Sequence, residues 1–117
     1  MNMTIARLHW VLLAAFWMGC ACMPARAQLA DARAAFDKED YAVAYALYAV
    51  PAKGGVAEAQ YRMGIMHKFG WGTGRDHAVA AQWFRSAAEQ GHAEAQSELA
   101  IYYKDGRGVP QIGRAHV

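Results

Sequence analysis

The segment GVAEAQ at residues 55–60 returns as GHAEAQ at residues 91–96. The correspondence continues at the same spacing through Met63/Leu99, Ile65/Ile101, Lys68/Lys104, Gly70/Gly106 and Gly72/Gly108. A single offset of 36 residues serves every pair. Self-similarity at one fixed period of this size belongs to stacked repeat proteins, in which each unit buries its apolar face only against a neighbour. Such a chain builds an extended surface rather than an enclosed catalytic pocket.

Within one period, residues 57–68 (AEAQYRMGIMHK) carry helix-forming side chains and no proline, which predicts a first helix, A. Alternating glycines at 70, 72 and 74 break it. Asp76 supplies an N-cap acceptor for a second helix, B. The apolar residues of helix B, Ala80, Trp83, Phe84, Ala87 and Ala88, recur at the spacing of one buried stripe, so Trp83 and Phe84 are expected in the core. Gly91 is placed to close helix B in a left-handed turn. Extending the offset backwards pairs Asp40, Ala42, Val43, Ala44 and Gly55 with Asp76, Ala78, Val79, Ala80 and Gly91, and Leu47 and Tyr48 stand for Trp83 and Phe84. Pro51 replaces Ala87 and predicts an early end or a kink, because proline lacks the amide donor and clashes with the turn before it. A short helix over residues 29–36 forms an N-terminal cap, giving the order cap, B, A, B, A.

Composition separates the first 27 residues from the rest. Arg7 in a polar start, the apolar run WVLLAAFWM at 10–18 and the small residues around Arg26 have the layout of a secretory signal peptide, with cleavage expected after Ala27. The apolar run ends at Met23, short of the roughly 20 residues that cross a bilayer. Cleavage would remove both cysteines, Cys20 and Cys22, and with them any disulfide or thiolate metal site. The alternative is lipidation at Cys20, whose preceding Trp17-Met18-Gly19 is a distorted lipoprotein signal; only then would the protein be held at a membrane. Of the 12 Lys and Arg residues, Arg7 and Arg26 lie in this leader, and all 10 acids lie beyond it. The remainder is neutral, without the basic stripe that nucleic acid requires.

Nor does the remainder offer catalytic machinery. Its two serines, Ser86 and Ser97, lie in neither G-x-S-x-G nor S-x-x-K. His67, His77 and His92 fit no metal-binding spacing, so neither cofactor nor metal is expected. His67 is expected to pack where one helix meets the next, and Gly64 to mark a close helix crossing.

The A-x-A-Q start, the Met63-Gly64 pair, the G-x-G loop and the AAEQG end together resemble the Sel1-like repeat, a relative of the tetratricopeptide repeat, over residues 40–111. His67 departs from the family's usual Tyr, and Thr73-Gly74-Arg75 from the Val-Pro-Gln kept at residues 109–111. The resemblance implies an all-α, right-handed α-solenoid of helix-turn-helix repeats with A helices lining a concave face. It also implies a non-enzymatic, protein-binding adaptor of the bacterial cell envelope, located in the periplasm. Alternatives are an envelope enzyme or wall-glycan binder of β-lactamase-like type and a lipid-anchored envelope scaffold. Relatives discussed as β-lactamase-like carry a cysteine pair in each repeat, which this chain lacks.

The expected organisation is a signal peptide at 1–27, a cap and divergent half repeat at 28–56, one repeat at 57–92 and the start of another at 93–111. Residues 112–117 (IGRAHV) read as the translation of a sequencing adapter and are expected to be non-native, with the natural chain continuing. The last helix A would then leave Leu99 and Tyr103 without a B partner and invite self-association. Candidate partner-binding residues form a stripe on helix A: Glu58, Tyr61, Ile65 and Lys68 are spaced 3, 4 and 3 apart, and Glu94, Ser97, Ile101 and Lys104 repeat them. Trp71 and Phe69, on the glycine-rich loop, either tuck under the neighbouring repeat or anchor a ligand.

Overall fold

The computed structural model describes residues 25–108. Both cysteines, the apolar leader and the tail at 112–117 lie outside the described residues. The described chain forms five helices, α1 (Ala25–Asp37), α2 (Tyr41–Lys53), α3 (Ala57–Phe69), α4 (His77–Glu89) and α5 (Ala93–Asp105). No strand occurs among the described residues. Each helix packs on the next, and the short connections make successive helices antiparallel. The result is an α-solenoid of hairpins, α2 and α4 being the B type and α3 and α5 the A type.

The cap, α1, is longer than residues 29–36. It also occupies the place of an A-type helix, which the echo at 36 concealed. Helices α1 and α3 open at Ala25 and Ala57, 32 residues apart, whereas α3 and α5 open 36 apart, at Ala57 and Ala93. The difference lies in the connections: residues 38–40 join α1 to α2, and the longer 70–76 joins α3 to α4. The short turn is made by Glu39 in a left-handed conformation at φ 61°.

Asp76 caps α4 as expected, its Oδ1 accepting from the amides of Ala78 at 3.0 Å and Val79 at 3.1 Å. Pro51 does not end α2 early; the helix runs to Lys53 and has the same 13-residue length as α4. Proline in this last turn keeps the carbonyl that the closing turn uses. Pro51 C=O receives the Val56 amide at 3.0 Å, as Ala87 C=O receives that of His92 at 3.2 Å. Between those donors and the helix end lie Gly55 and Gly91, at φ 96° and 86°, closing both B-type helices in the left-handed turn.

The A-x-A-Q signature has a direct physical basis. Ala59 and Ala95 are wholly buried. The amides of Gln60 and Gln96 each donate to a carbonyl near the end of the preceding B-type helix, Ala52 and Ala88, both at 3.2 Å. A glutamine thereby adds a second donor, in each repeat, to a terminal carbonyl that already accepts the amide of Gly55 or Gly91. Tyr48 and Phe84 occupy equivalent buried positions in two successive core clusters, and Tyr102 joins the second. Leu47 and Trp83 are half-buried at the rim of the first cluster rather than in the core, since the stripe on a B-type helix is wider than the face it buries. Gly64 is the expected close crossing: a Cβ there would lie 2.5 Å from Cε1 of Phe84.

Candidate functional site

The residues singled out on α3 meet neighbouring A-type helices. Glu58 reaches back to α1, where Arg33 donates to it from Nε at 2.6 Å and also from Nη2. That pairing holds the Glu58 carboxyl below the usual carboxylate range. Lys68 reaches forward to α5 and donates to Glu98 Oε2 at 2.8 Å, the two side chains being 19% and 20% exposed. Ile65 is 9% exposed, in the cluster with Ala95 and Tyr102. Tyr61 is half-buried and stacks on His92 with ring centroids 4.8 Å apart; burial pushes its phenol up. These four residues share a stripe but not an open one, because 3–4–3 spacing also describes the side of a helix that meets its neighbour.

Their counterparts on α5 are placed differently. Glu94, Ser97, Ile101 and Lys104 are all exposed. Ile101 is 46% exposed, against 9% for the equivalent Ile65. Glu94 approaches the imidazole of His92, at 3.4 Å, and Ser97 turns its hydroxyl to the carbonyl of Ala93 at 3.2 Å. Leu99 and Tyr103, expected to lack cover, are half-buried. Leu99 packs on the second cluster, and Tyr103 accepts a hydrogen bond from Arg85 of α4 at 2.9 Å.

The two joints between A-type helices differ at one matched rung. Glu98, 36 residues after Arg62, meets Lys68; Arg62 meets Phe36, the α1 residue matching Lys68 at the offset of 32. One joint therefore has an ion pair where the other has a guanidinium 4.8 Å over a phenyl ring.

Trp71 tucks under the preceding repeat. Its ring stacks on Tyr41 at 4.7 Å and on Phe69 at 4.6 Å, with Phe36 edge-on at 6.0 Å. The next residue, Gly72 at φ 72°, passes so close to the start of α2 that a Cβ would lie 2.3 Å from the carbonyl oxygen of Tyr41. Gly108 repeats this contact over His77 at 2.4 Å. Phe69, which ends α3 rather than lying in the glycine-rich loop, stays 49% exposed.

The profile of the Sel1 repeat matches residues 57–92 and 93–116. The chain belongs to the Sel1 repeat family. It is similar to a Sel1 repeat protein from Oxalobacter formigenes, at 31% identity and a TM-score of 0.59 over 60% of this chain and 53% of that one. It is also similar to c5321 of uropathogenic Escherichia coli, a protective antigen with an SLR fold, at 33% identity and a TM-score of 0.71. That likeness covers 76% of this chain and 20% of c5321, so the chain spans about half of one relative and a fifth of the other. No curated protein matches it. Sel1 repeat proteins generally mediate protein–protein interaction, and their fold is generally non-catalytic.

The histidines of these Sel1 repeats act within the fold. His67 is buried, with the Tyr45 hydroxyl of α2 at 3.5 Å from its Nε2; its contact is thus with the preceding B-type helix. His77 accepts from Arg75 at Nε2, 3.2 Å, which leaves the proton on Nδ1 to donate to the Tyr102 hydroxyl at 2.9 Å. Burial, then the Arg75 charge, pushes the His77 imidazole below its ordinary value. His92 caps α5 by accepting the Ala95 amide at Nδ1, 3.3 Å. Among the described residues, no group of three or more His, Cys, Asp or Glu side chains could hold a metal ion, and no helix is long and apolar enough to cross a membrane. Sequence reasoning missed Arg33, Arg62 and Glu98. For Arg62 and Glu98 a signal was present as a break in the echo, since the two are oppositely charged at matched positions of two otherwise similar repeats.

Proposed function

We propose that this chain is a non-enzymatic interaction module of the bacterial cell envelope, taking a partner polypeptide along the exposed side of the A-type helix α5. The observation that carries the reading is the line Glu94, Ser97, Ile101 and Lys104, exposed together on α5 while Ala95 and Tyr102 anchor the opposite side in the core. An aliphatic side chain flanked by charges of both signs offers contact area together with orientation. Membership of a family that binds proteins supports the class of function, and the secretory layout of residues 1–27 supports export to the periplasm. The likeness to a protein described as a protective antigen accords with that location.

The test is site-directed photo-crosslinking in cells expressing the full chain. A photoreactive residue at Ile101 should give a discrete adduct in the periplasmic fraction. One at Val50, a more exposed apolar position on α2, should not give the same adduct. Equal adducts at both positions would sink the assignment of the face, and recovery of the uncleaved chain in the cytoplasm would sink the location.

A further inference from the structure

Helix α2 is apolar on every side. From Tyr41 to Ala52 (YAVAYALYAVPA) it holds no charged or amide side chain, which is the composition of a helix buried all round. Yet only one side of it is covered, where Ala44, Tyr48 and Ala52 enter the first core cluster. On the other side Val43 and Val50 are 47% and 65% exposed, Leu47 is half-buried between them, and Ala42 and Ala46 are exposed beside them. Val43, Leu47 and Val50, spaced 4 and 3 apart, run as one line along the helix.

The other B-type helix shows that the fold does not require this line. At the offset of 36, Ala46, Ala49, Val50 and Lys53 of α2 correspond to Gln82, Arg85, Ser86 and Glu89 of α4. Gln82, Arg85 and Glu89 are exposed, and polar side chains there are what water selects. One scaffold therefore carries a polar face on α4 and an apolar face on α2.

Charge is confined to the two ends of the apolar face. Asp37, Lys38, Glu39 and Asp40 stand where α2 begins, two net negative charges, and Lys53 stands where it ends. The Asp40 side chain makes no capping hydrogen bond, unlike that of Asp76. Among the described residues neither Asp40 nor Lys53 belongs to an ion pair. A second α2 laid antiparallel on the first would set the acidic beginning of each against Lys53 of the other, whereas a parallel one would set lysine against lysine and acid against acid. The register that matches Asp40 with Lys53 also matches Val43 with Val50, because both pairs are symmetric about the same point, between Ala46 and Leu47. A face that complements itself in this way is suited to a two-fold contact, and the alanine at the centre lets the two helix axes come close.

We propose that the exposed face of α2 is the contact between two copies of this chain, packed antiparallel about a two-fold axis between Ala46 and Leu47. The contact is one 13-residue helix long, smaller than the interface of a permanent dimer, so the pair forms and dissociates with concentration. It uses no residue of α5 and stands or falls apart from the partner-binding reading above.

The test is sedimentation equilibrium of the full chain over roughly a hundredfold range of concentration about the micromolar level, with zero-length carbodiimide crosslinking of the same samples. The mass should rise from one chain to two, and crosslinks should join Lys53 to Asp40 or Glu39. Within one copy those residues lie at opposite ends of α2, roughly 20 Å apart, so such a link forms only between copies. A46Q/V50S gives α2 the residues that α4 carries at matched positions, and should stay a single, folded chain at every concentration. K53E should weaken association by roughly tenfold, since two pairs are reversed at once, and K53E/D40K should recover most of the loss. A parent chain that stays single throughout, a dimer undiminished in A46Q/V50S, or one that K53E leaves unweakened would each overturn the interface. A dimer abolished by I101Q but kept in A46Q/V50S would place self-association on α5 and overturn it as well.

Discussion

Gly64 shows how much a single missing methyl group decides. A helix-interior glycine ordinarily costs about 1 kcal/mol relative to alanine, so Gly64→Ala would stabilise an isolated α3. In the folded chain the new Cβ would meet Cε1, Cδ1 and Cζ of Phe84 at 2.5, 2.6 and 3.0 Å. Phe84 is wholly buried and cannot swing aside. Overpacking of this kind costs about 1–3 kcal/mol, and G64A is expected to lose up to about 2 kcal/mol net in urea unfolding. The reciprocal Ala100→Gly, at the equivalent but exposed position of α5, should show only the helix cost of about 1 kcal/mol. If G64A unfolds at a higher urea concentration than the parent, the close crossing is not a constraint.

Helix boundaries were legible because each is written in local chemistry: Asp76 at a cap, Gly91 at a left-handed turn, glycines 70 and 72 between. Which neighbour a helix meets was not legible in the same way. The stripe Glu58, Tyr61, Ile65, Lys68 could be recognised as one side of α3, but its partners on α1 depend on an offset of 32 set by the short turn at Glu39, and the visible echo runs at 36. Pro51 was misjudged for a related reason, its effect depending on its place within the last turn rather than on its identity. The Lys68–Glu98 contact gives this level a measurable quantity. A double-mutant cycle with Lys68→Met and Glu98→Gln should return a coupling of about 0.5–1 kcal/mol, reduced in high salt. Zero coupling would mean that α3 and α5 are joined by apolar packing alone.

Over the whole molecule, protonation acts on two joints at different pH. His77 links α4 to α5 through Tyr102 and titrates below its ordinary 6.5, first because of burial and then because of Arg75. The unfolded chain therefore takes up its proton at higher pH, so stability falls as pH drops through 6.5 and the loss levels off once the folded imidazole is protonated. Glu58 behaves as a depressed acid: its contribution is full above the ordinary 4.5 and is lost as pH falls through the lower folded value. Melting midpoints of the full chain should decline in two stages between pH 8 and 3, with H77Q reducing the upper stage and E58Q the lower. A profile unchanged by H77Q would dissociate the α4–α5 joint from this imidazole. The glycine contacts at Tyr41 and His77 connect the molecule in a further sense. The loops that follow α3 and α5 each close over the first turn of the B-type helix made before them, so a chain emerging from the ribosome has already made the seat on which each loop settles.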